Sequence, residues 1–409
     1  MRRLLRWMLP SMTTLAALAA CGPGNVLADY PPPALGDIGL HNSPTYVARN
    51  LLVPGQVMLE HPRLGQPAVR LAGDAVDVGW IAPGLGSAAT TAALTIDSDP
   101  GTVVALTGDC DADGVCHATL PPAVTALLPV GLHGLCVGVP SGSGATDCSP
   151  NALAIVPEVH DPLTIIHVSD AHVGSDDNLG TWERVVAAVN AIDPPPDVVI
   201  FTGDGADVGT PVQHAQFTAV LSQLTVPVFA VTGNHDYDAR GIDGWLVDVN
   251  PELDFQAVVG PLQLVGVSSG QDLDDGHHDT TISESSGPDA SQLAWLATVL
   301  VDGALPTVAF FHHPIYNGLF ATIGPESRDQ LKALVTRPFV RAVLCGHTHI
   351  SAVFDADGDS RGLSTSSDDV PSRRWPLHYI ASRSTRGAGG FAVLHVGTKR
   401  VDYTWLELP

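Results

Sequence analysis

Beyond about residue 160 the chain contains five apolar runs that each stop at a cluster of polar residues. They are "LTIIHVSD" (163–170), "PDVVIFTGD" (196–204), "PVFAVTGNHD" (227–236), "TVAFFHHP" (307–314) and "RAVLCGHTH" (341–349). A short, unbroken apolar run suits a strand buried on both faces. Between the runs lie "NLGTWERVVAAVNAI", "PVQHAQFTAVLSQL", "DASQLAWLATVL" and "ESRDQLKALVT", whose apolar spacing and polar starts read as helices. Doubly buried strands alternating with helices predict an α/β layered domain over 160–409. In such folds ligands gather at the carboxyl ends of the strands, and every one of these ends carries Asp, His or Asn-His-Asp.

The preceding segment is different. From about 35 to 156 short apolar runs ("VARNLLVPGQVMLEH", "AVRLAGDAVDVGWIA", "TTAALTI", "GTVVALTG", "GLHGLCVGV", "NALAIVPE") are broken by Gly, Pro, Asp and Ser. This spacing predicts an all-β, immunoglobulin-like sandwich. At 409 residues the chain exceeds what one core usually serves, in keeping with two domains. Residues 21–34 read as a Pro-rich tether, and residues 1–20 as a leader: Arg2, Arg3 and Arg6, then an apolar stretch too short to span a bilayer, then small residues. Leu18-Ala19-Ala20-Cys21 resembles the lipobox of bacterial lipoproteins, which makes Cys21 the expected lipidation site. The expectation is an exported protein of the bacterial cell envelope, tied to the membrane by that anchor alone. Gly22 after the cysteine favours the outer membrane where the host has one.

Export permits disulfides. With Cys21 assigned to lipid and Cys345 beside a histidine pair, Cys110, Cys116, Cys136 and Cys148 remain, and the most local pairing is Cys110–Cys116 with Cys136–Cys148. The formal net charge of -24 excludes the basic footprint of a duplex nucleic-acid binder. It would also repel a phosphate ester unless a bound cation reversed the local sign.

The polar clusters supply such a site. Asp170, His172, Asp204, Asn234, His235, Asp236, His312, His347 and His349 offer carboxylate, carboxamide and imidazole donors without thiolate. This set suits Mn, Fe, Zn or Co, and its size suits two metals. Gly203, Gly233 and Gly346 fit turns in which backbone approaches the site.

D-x-H (170–172), G-D (203–204), G-N-H-D (233–236), H-x-P (312–314) and G-H-x-H (346–349), in that order, resemble the calcineurin-like metallophosphoesterase superfamily. The resemblance implies a layered β-sandwich flanked by helices and a dinuclear centre of divalent or trivalent transition metals. Asp170, His172 and His349 would hold one metal; Asn234, His312 and His347 would hold the other, with Asp204 bridging. The match puts the ligand at His312, two residues before Pro314, and makes Cys345 a buried strand residue. It also implies that a metal-bound hydroxide attacks a small phosphoester while His235 protonates the leaving group. Either Asp207 or Asp236 could orient His235; a solvated acidic turn is the equal alternative.

Two departures narrow the resemblance. Asp207 stands where purple acid phosphatases place a tyrosine, and Val208-Gly209 lacks the arginine of protein Ser/Thr phosphatases. The pattern is more similar to bacterial phosphodiesterases of the cyclic-nucleotide and glycerophosphodiester type. A phosphomonoesterase or nucleotidase is the alternative enzyme, and a surface binding module with a structural metal domain the alternative class. Lesser features are a possible calcium turn at Asp109, Asp111 and Asp113, whose twelfth loop position is Leu120 instead of Glu; a surface turn at 355–362; His277 and His278 in a loop that could border the site; and Arg373, Arg374, Arg383 and Arg386, open to a phosphate-clamping role or to balancing nearby acids. The sequence gives no oligomeric state.

Overall fold

The computed structural model describes residues 52–85, 90–112, 114–139, 145–269, 287–301, 305–316, 323–366, 376–381, 384–385 and 387–409. Cys21, the leader, the tether, Asp113, His277, His278 and the four late arginines lie outside the described residues.

Two sheets form the scaffold of the site. The six-stranded sheet runs Val228–Ala230, Val198–Phe201, Leu163–Val168, Gly390–Val396, Val401–Glu407, Ser364–Ser366. The seven-stranded sheet runs Phe255–Val259, Leu262–Gly266, Thr307–Phe310, Val340–Cys345, Leu377–Ile380, Ala352–Phe354, Ser360–Arg361. All five apolar runs of the sequence are strands here. Three lie side by side and parallel in the first sheet, and two are parallel neighbours in the second.

Burial on both faces has a direct cause. Ile165, Ile200 and Phe229 of one sheet meet Leu264, Val308, Phe310 and Leu344 of the other in a shared core. The outer face of the six-stranded sheet is covered by helices Asn178–Asn190, Pro211–Leu221 and Gly241–Asp248. There Trp182 stacks on Phe217, and Phe217 on Trp245, at ring distances of 5.9 and 6.2 Å. Helices Ala290–Val299 and Pro325–Val335 cover the other sheet. The result is a mixed α/β fold of four layers. Helix starts follow their sequence signals: Asp289 and Gln292 form a reciprocal capping box, and the Thr210 side chain accepts from Gln213 N ahead of Pro211. Helix Gly241–Asp248 has no such signal, and the sequence does not announce it.

The N-terminal region forms a four-stranded and a five-stranded sheet around a second core that includes Trp80, Leu94, Leu135 and Leu153. One of its pairs is parallel, Ala68–Leu71 against Thr146–Val156. Cys110 and Cys116 face each other across one antiparallel ladder and Cys136 and Cys148 across another, and both pairs are disulfide-bonded. Cys345 is buried and free. Among the described residues no helix is long and apolar enough to cross a membrane.

Candidate metal centre

The strand ends converge through unusual backbone. Among the described residues seven non-glycine residues have positive φ, and Asp170, His172, Asp204, His347 and His349 are five of them. Left-handed backbone at such residues costs on the order of 1–3 kcal/mol each and persists only where its surroundings enforce it. Glycines supply the room. A Cβ on Gly233 would sit 2.1 Å from Asp204 Oδ1, one on Gly203 2.7 Å from His312 Nδ1, and one on Gly346 1.9 Å from Ser169 Oγ.

Asp170, His172, Asp204 and His349 form one group of side chains able to hold a cation, and His312, His313 and His347 form another. Asp204 Oδ2 lies 3.5 Å from His172 Nε2 and 3.0 Å from His312 Nε2, so one oxygen faces both groups. Its other oxygen accepts the His235 amide at 2.9 Å. His172 Nε2 and His349 Nε2 are 3.0 Å apart, and His349 Nε2 is 3.3 Å from Asp170 Oδ1. The amide of His347 donates to both oxygens of Asp170 at 3.0 and 3.1 Å.

The donor set fits metals. Asn234 Oδ1 is buried without a hydrogen-bond partner among the described residues. His312 Nε2 stands 3.0 Å from Asp204 Oδ2, so the two atoms face a common point. Its Nδ1 donates to the Thr202 carbonyl at 2.7 Å, which leaves the lone pair on Nε2. His172 Nδ1 contacts the Asp207 carboxylate at 3.2 Å, which likewise turns Nε2 inward.

Electrostatics point the same way. Burial opposes ionisation of Asp170 and Asp204, but the imidazoles around them outweigh it and draw both carboxyls below the usual carboxylate range. Burial also opposes protonation of His312, yet Asp204 beside it raises its pKa to about 9, so a proton and a metal compete for Nε2. His347, buried and next to His312, falls to about 3.

Asp207 meets the His235 ring through its main chain, and the Asp236 carboxylate is turned to backbone amides. The Asp207 main-chain carbonyl accepts from His235 Nδ1 while its carboxylate contacts His172. Asp236 accepts from the amides of Asp204, Gly205, Ala206 and Gly233 at 2.9–3.0 Å, which ties the two loops carrying Asp204 and Asn234 together. His313, next in the chain to the His312 that the motif points to, joins His312 and His347; its one signal in the sequence is the His-His pair itself. At the acidic turn Asp111 Oδ1 accepts the Val115 amide at 2.9 Å, while the Asp109–Asp111–Asp113 set as a whole lies partly outside the described residues.

The calcineurin-like phosphoesterase family model matches residues 163–351, which contain every one of these side chains. A cAMP/cGMP dual specificity phosphodiesterase of Mycobacterium tuberculosis is 31% identical over 268 residues, 60% of this chain and 79% of the relative. The chain belongs to the calcineurin-like phosphoesterase family. This phosphoesterase is also similar to a glycerophosphodiester phosphodiesterase, GpdQ, of Enterobacter lignolyticus, at 29% identity over 46% of this chain and 71% of the relative. A 3',5'-cyclic-nucleotide phosphodiesterase of Nostoc sp. is 26% identical over 55% of this chain and 79% of the relative. The phosphoesterase is accordingly a metal-dependent phosphoester hydrolase.

Proposed function

We propose that this chain is a phosphodiesterase of small phosphodiesters, working with two transition metals from Mn, Fe, Zn or Co. The observation that carries the reading is Asp204 Oδ2, one buried oxygen facing two separate groups of metal-binding side chains. The printed activities of the relatives, on cyclic nucleotides and glycerophosphodiesters, support the diester class.

In this reading Asp170, His172 and His349 hold one metal and Asn234, His312 and His347 the other, with Asp204 between them. Metals bound there supply Lewis-acid charge against the phosphoryl oxygens and acidify a water. The protein supplies the rest. The Thr202 carbonyl and the Asp207 carboxylate fix which nitrogens of His312 and His172 face inward. His235 gives its Nδ1–H to the Asp207 carbonyl, so Nε2 is the nitrogen turned to the leaving oxygen; it delivers a proton there only from the imidazolium, which burial disfavours, so the ring must first take a second proton on Nε2 within the site. Asp236 keeps Asp204 and Asn234 in register.

We also propose that the protein is exported and anchored by a lipid on Cys21, with the outer membrane as its site where one exists, and that residues 35–156 form an immunoglobulin-like module. The two disulfides are consistent with an oxidising compartment.

The test compares kcat/KM on an aryl phosphodiester and the matching monoester after metal removal and reloading with Mn2+. A strong diester preference is expected. Monoester preference would replace this reading with a nucleotidase or general phosphatase, and inactivity on both with two metals bound would favour a binding module.

A further inference from the structure

Asp170 and His172 both have left-handed backbone, with φ of 54° and 45°. The peptide plane is rigid, so a residue's φ is fixed once the plane before it is held. Both of these planes are held at both ends. The plane before Asp170 donates its N–H to the Gly203 carbonyl at 2.9 Å, and its C=O, on Ser169, accepts the Ser384 amide at 2.9 Å. The plane before His172 donates its N–H to the Asp204 carbonyl at 3.0 Å. Its C=O, on Ala171, accepts from the Thr385 hydroxyl at 3.0 Å.

Gly203 and Asp204 belong to the site. Ser384 and Thr385 come from beyond its last motif, 215 positions after Ser169 and 214 after Ala171. Both are buried, and Ser384 Oγ also accepts the Ser169 amide at 3.0 Å. Three of the four bonds to the two planes run from main chain to main chain. The fourth depends on one side chain. Ala171 is fully buried, so its carbonyl would lose the Thr385 proton without ready access to water in exchange. The Ala171–His172 plane could then rotate out of the left-handed conformation, which persists only where its surroundings enforce it, and carry the imidazole with it.

We propose that Thr385 is a positioning residue for the metal held by Asp170, His172 and His349. Its hydroxyl fixes the Ala171–His172 peptide and, through it, the direction of the His172 ring. Asn234, His312 and His347 stand on other loops, so the effect falls on one metal of the two. The inference rests on the two-metal reading above.

The experiment titrates the metal-free full chain with Zn2+ and follows the histidine nitrogen chemical shifts, which report His172 and His349 separately from His312 and His347. Thr385→Val keeps the shape and removes the donor. Affinity at the His172–His349 site should fall about tenfold or more, as when an outer hydrogen bond to a metal-ligand segment is lost, while the other site is unchanged. Thr385→Ser gives up the methyl group but keeps the hydroxyl, and should restore most of the loss; a packing role would not be rescued in this way. The proposal fails if Thr385→Val binds both metals as the unsubstituted chain does, if both sites weaken alike, or if Thr385→Ser is no better than Thr385→Val. Should Thr385→Val not fold, Thr385→Cys, whose thiol is a weak donor, should show the same one-sided loss in smaller measure, and unaltered affinity there would again sink the idea. If the unsubstituted chain fills fewer than two sites, the two-metal reading itself has failed.

Discussion

Asp207 reaches two histidines with two different groups, its carboxylate to His172 and its carbonyl to His235. One residue therefore couples the imidazole proposed to hold a metal to the imidazole proposed to face the leaving group. Only the carboxylate is removed by substitution, so the two functions separate. Asp207→Ala should weaken metal uptake about 10–100-fold, the usual cost of losing a carboxylate that orients a metal-bound histidine. It should leave the His235 ring in place, because the backbone carbonyl remains. His235→Ala should do the reverse: two metal equivalents retained, kcat down by about 10²–10⁴, as for loss of a general acid. Metal titrations and single-turnover rates on both variants decide the matter. Equal metal affinity in Asp207→Ala and wild type would show that His172 is held by its surroundings without the carboxylate.

At the scale of elements, the site is built where a strand ends and the chain must turn within a few ångströms of another strand's turn. Gly346 ends Val340–Cys345, and a Cβ there would overlap Ser169 Oγ at 1.9 Å and Asp170 Oδ2 at 2.5 Å. Asp170 cannot retreat easily, because it is fully buried and receives the His347 amide, and the Ser169 main chain, though not its Oγ, is held by its amide bond to Ser384 Oγ at 3.0 Å. Gly346→Ala should therefore destabilise the fold by roughly 1–3 kcal/mol, as overpacking does, and displace Asp170 enough to lower metal affinity. Thermal melts with and without Mn2+ measure both effects; a variant as stable as wild type and binding metal equally would mean that the two strand ends can separate.

Such strand ends were legible in the sequence because an apolar run halting at Asp or His needs no tertiary knowledge. The four helices with polar starts were legible for the same local reason. The separation of the runs into two sheets was not, since continuous apolar strands look alike whichever sheet they join. Nor was the pairing of Gly390–Val396 between Leu163–Val168 and Val401–Glu407, which closes the first sheet with strands from the far end of the chain. The Asp207–His172 contact and the loop-tying role of Asp236 also depend on residues about thirty positions away meeting in space.

Across the whole molecule, the N-terminal sheets are fastened to the layer that carries the site. Arg63, 2% exposed, donates from Nη1 to the Leu59 carbonyl and to Asp147 Oδ2 at 2.7 Å, and from Nη2 to the Val247 carbonyl. Gly65 donates to Val249 O at 2.9 Å and accepts from Ala230 N at 2.8 Å, at the edge strand that leads into Gly233-Asn234-His235-Asp236. The same region buries Glu60, 1% exposed, with neither carboxylate oxygen hydrogen-bonded among the described residues. Burial first, then the nearby Glu252 and Asp111 charges, push its pKa up to about 8, and the His117 ring at 3.9 Å does not offset them.

An unfolded glutamate titrates near pH 4.3 (about that value in model peptides). Between there and about 8 the folded state therefore binds the extra proton, and stability falls as pH rises through this window; above it the penalty is constant. Glu60→Gln keeps the shape and removes the ionisation. Its melting temperature relative to wild type should climb from pH 5 to pH 8 and then level off. The metal-binding groups contribute equally to both proteins and cancel in the difference. A difference that stays flat across this range would mean that Glu60 ionises in place, with its charge met by a partner that the fold supplies.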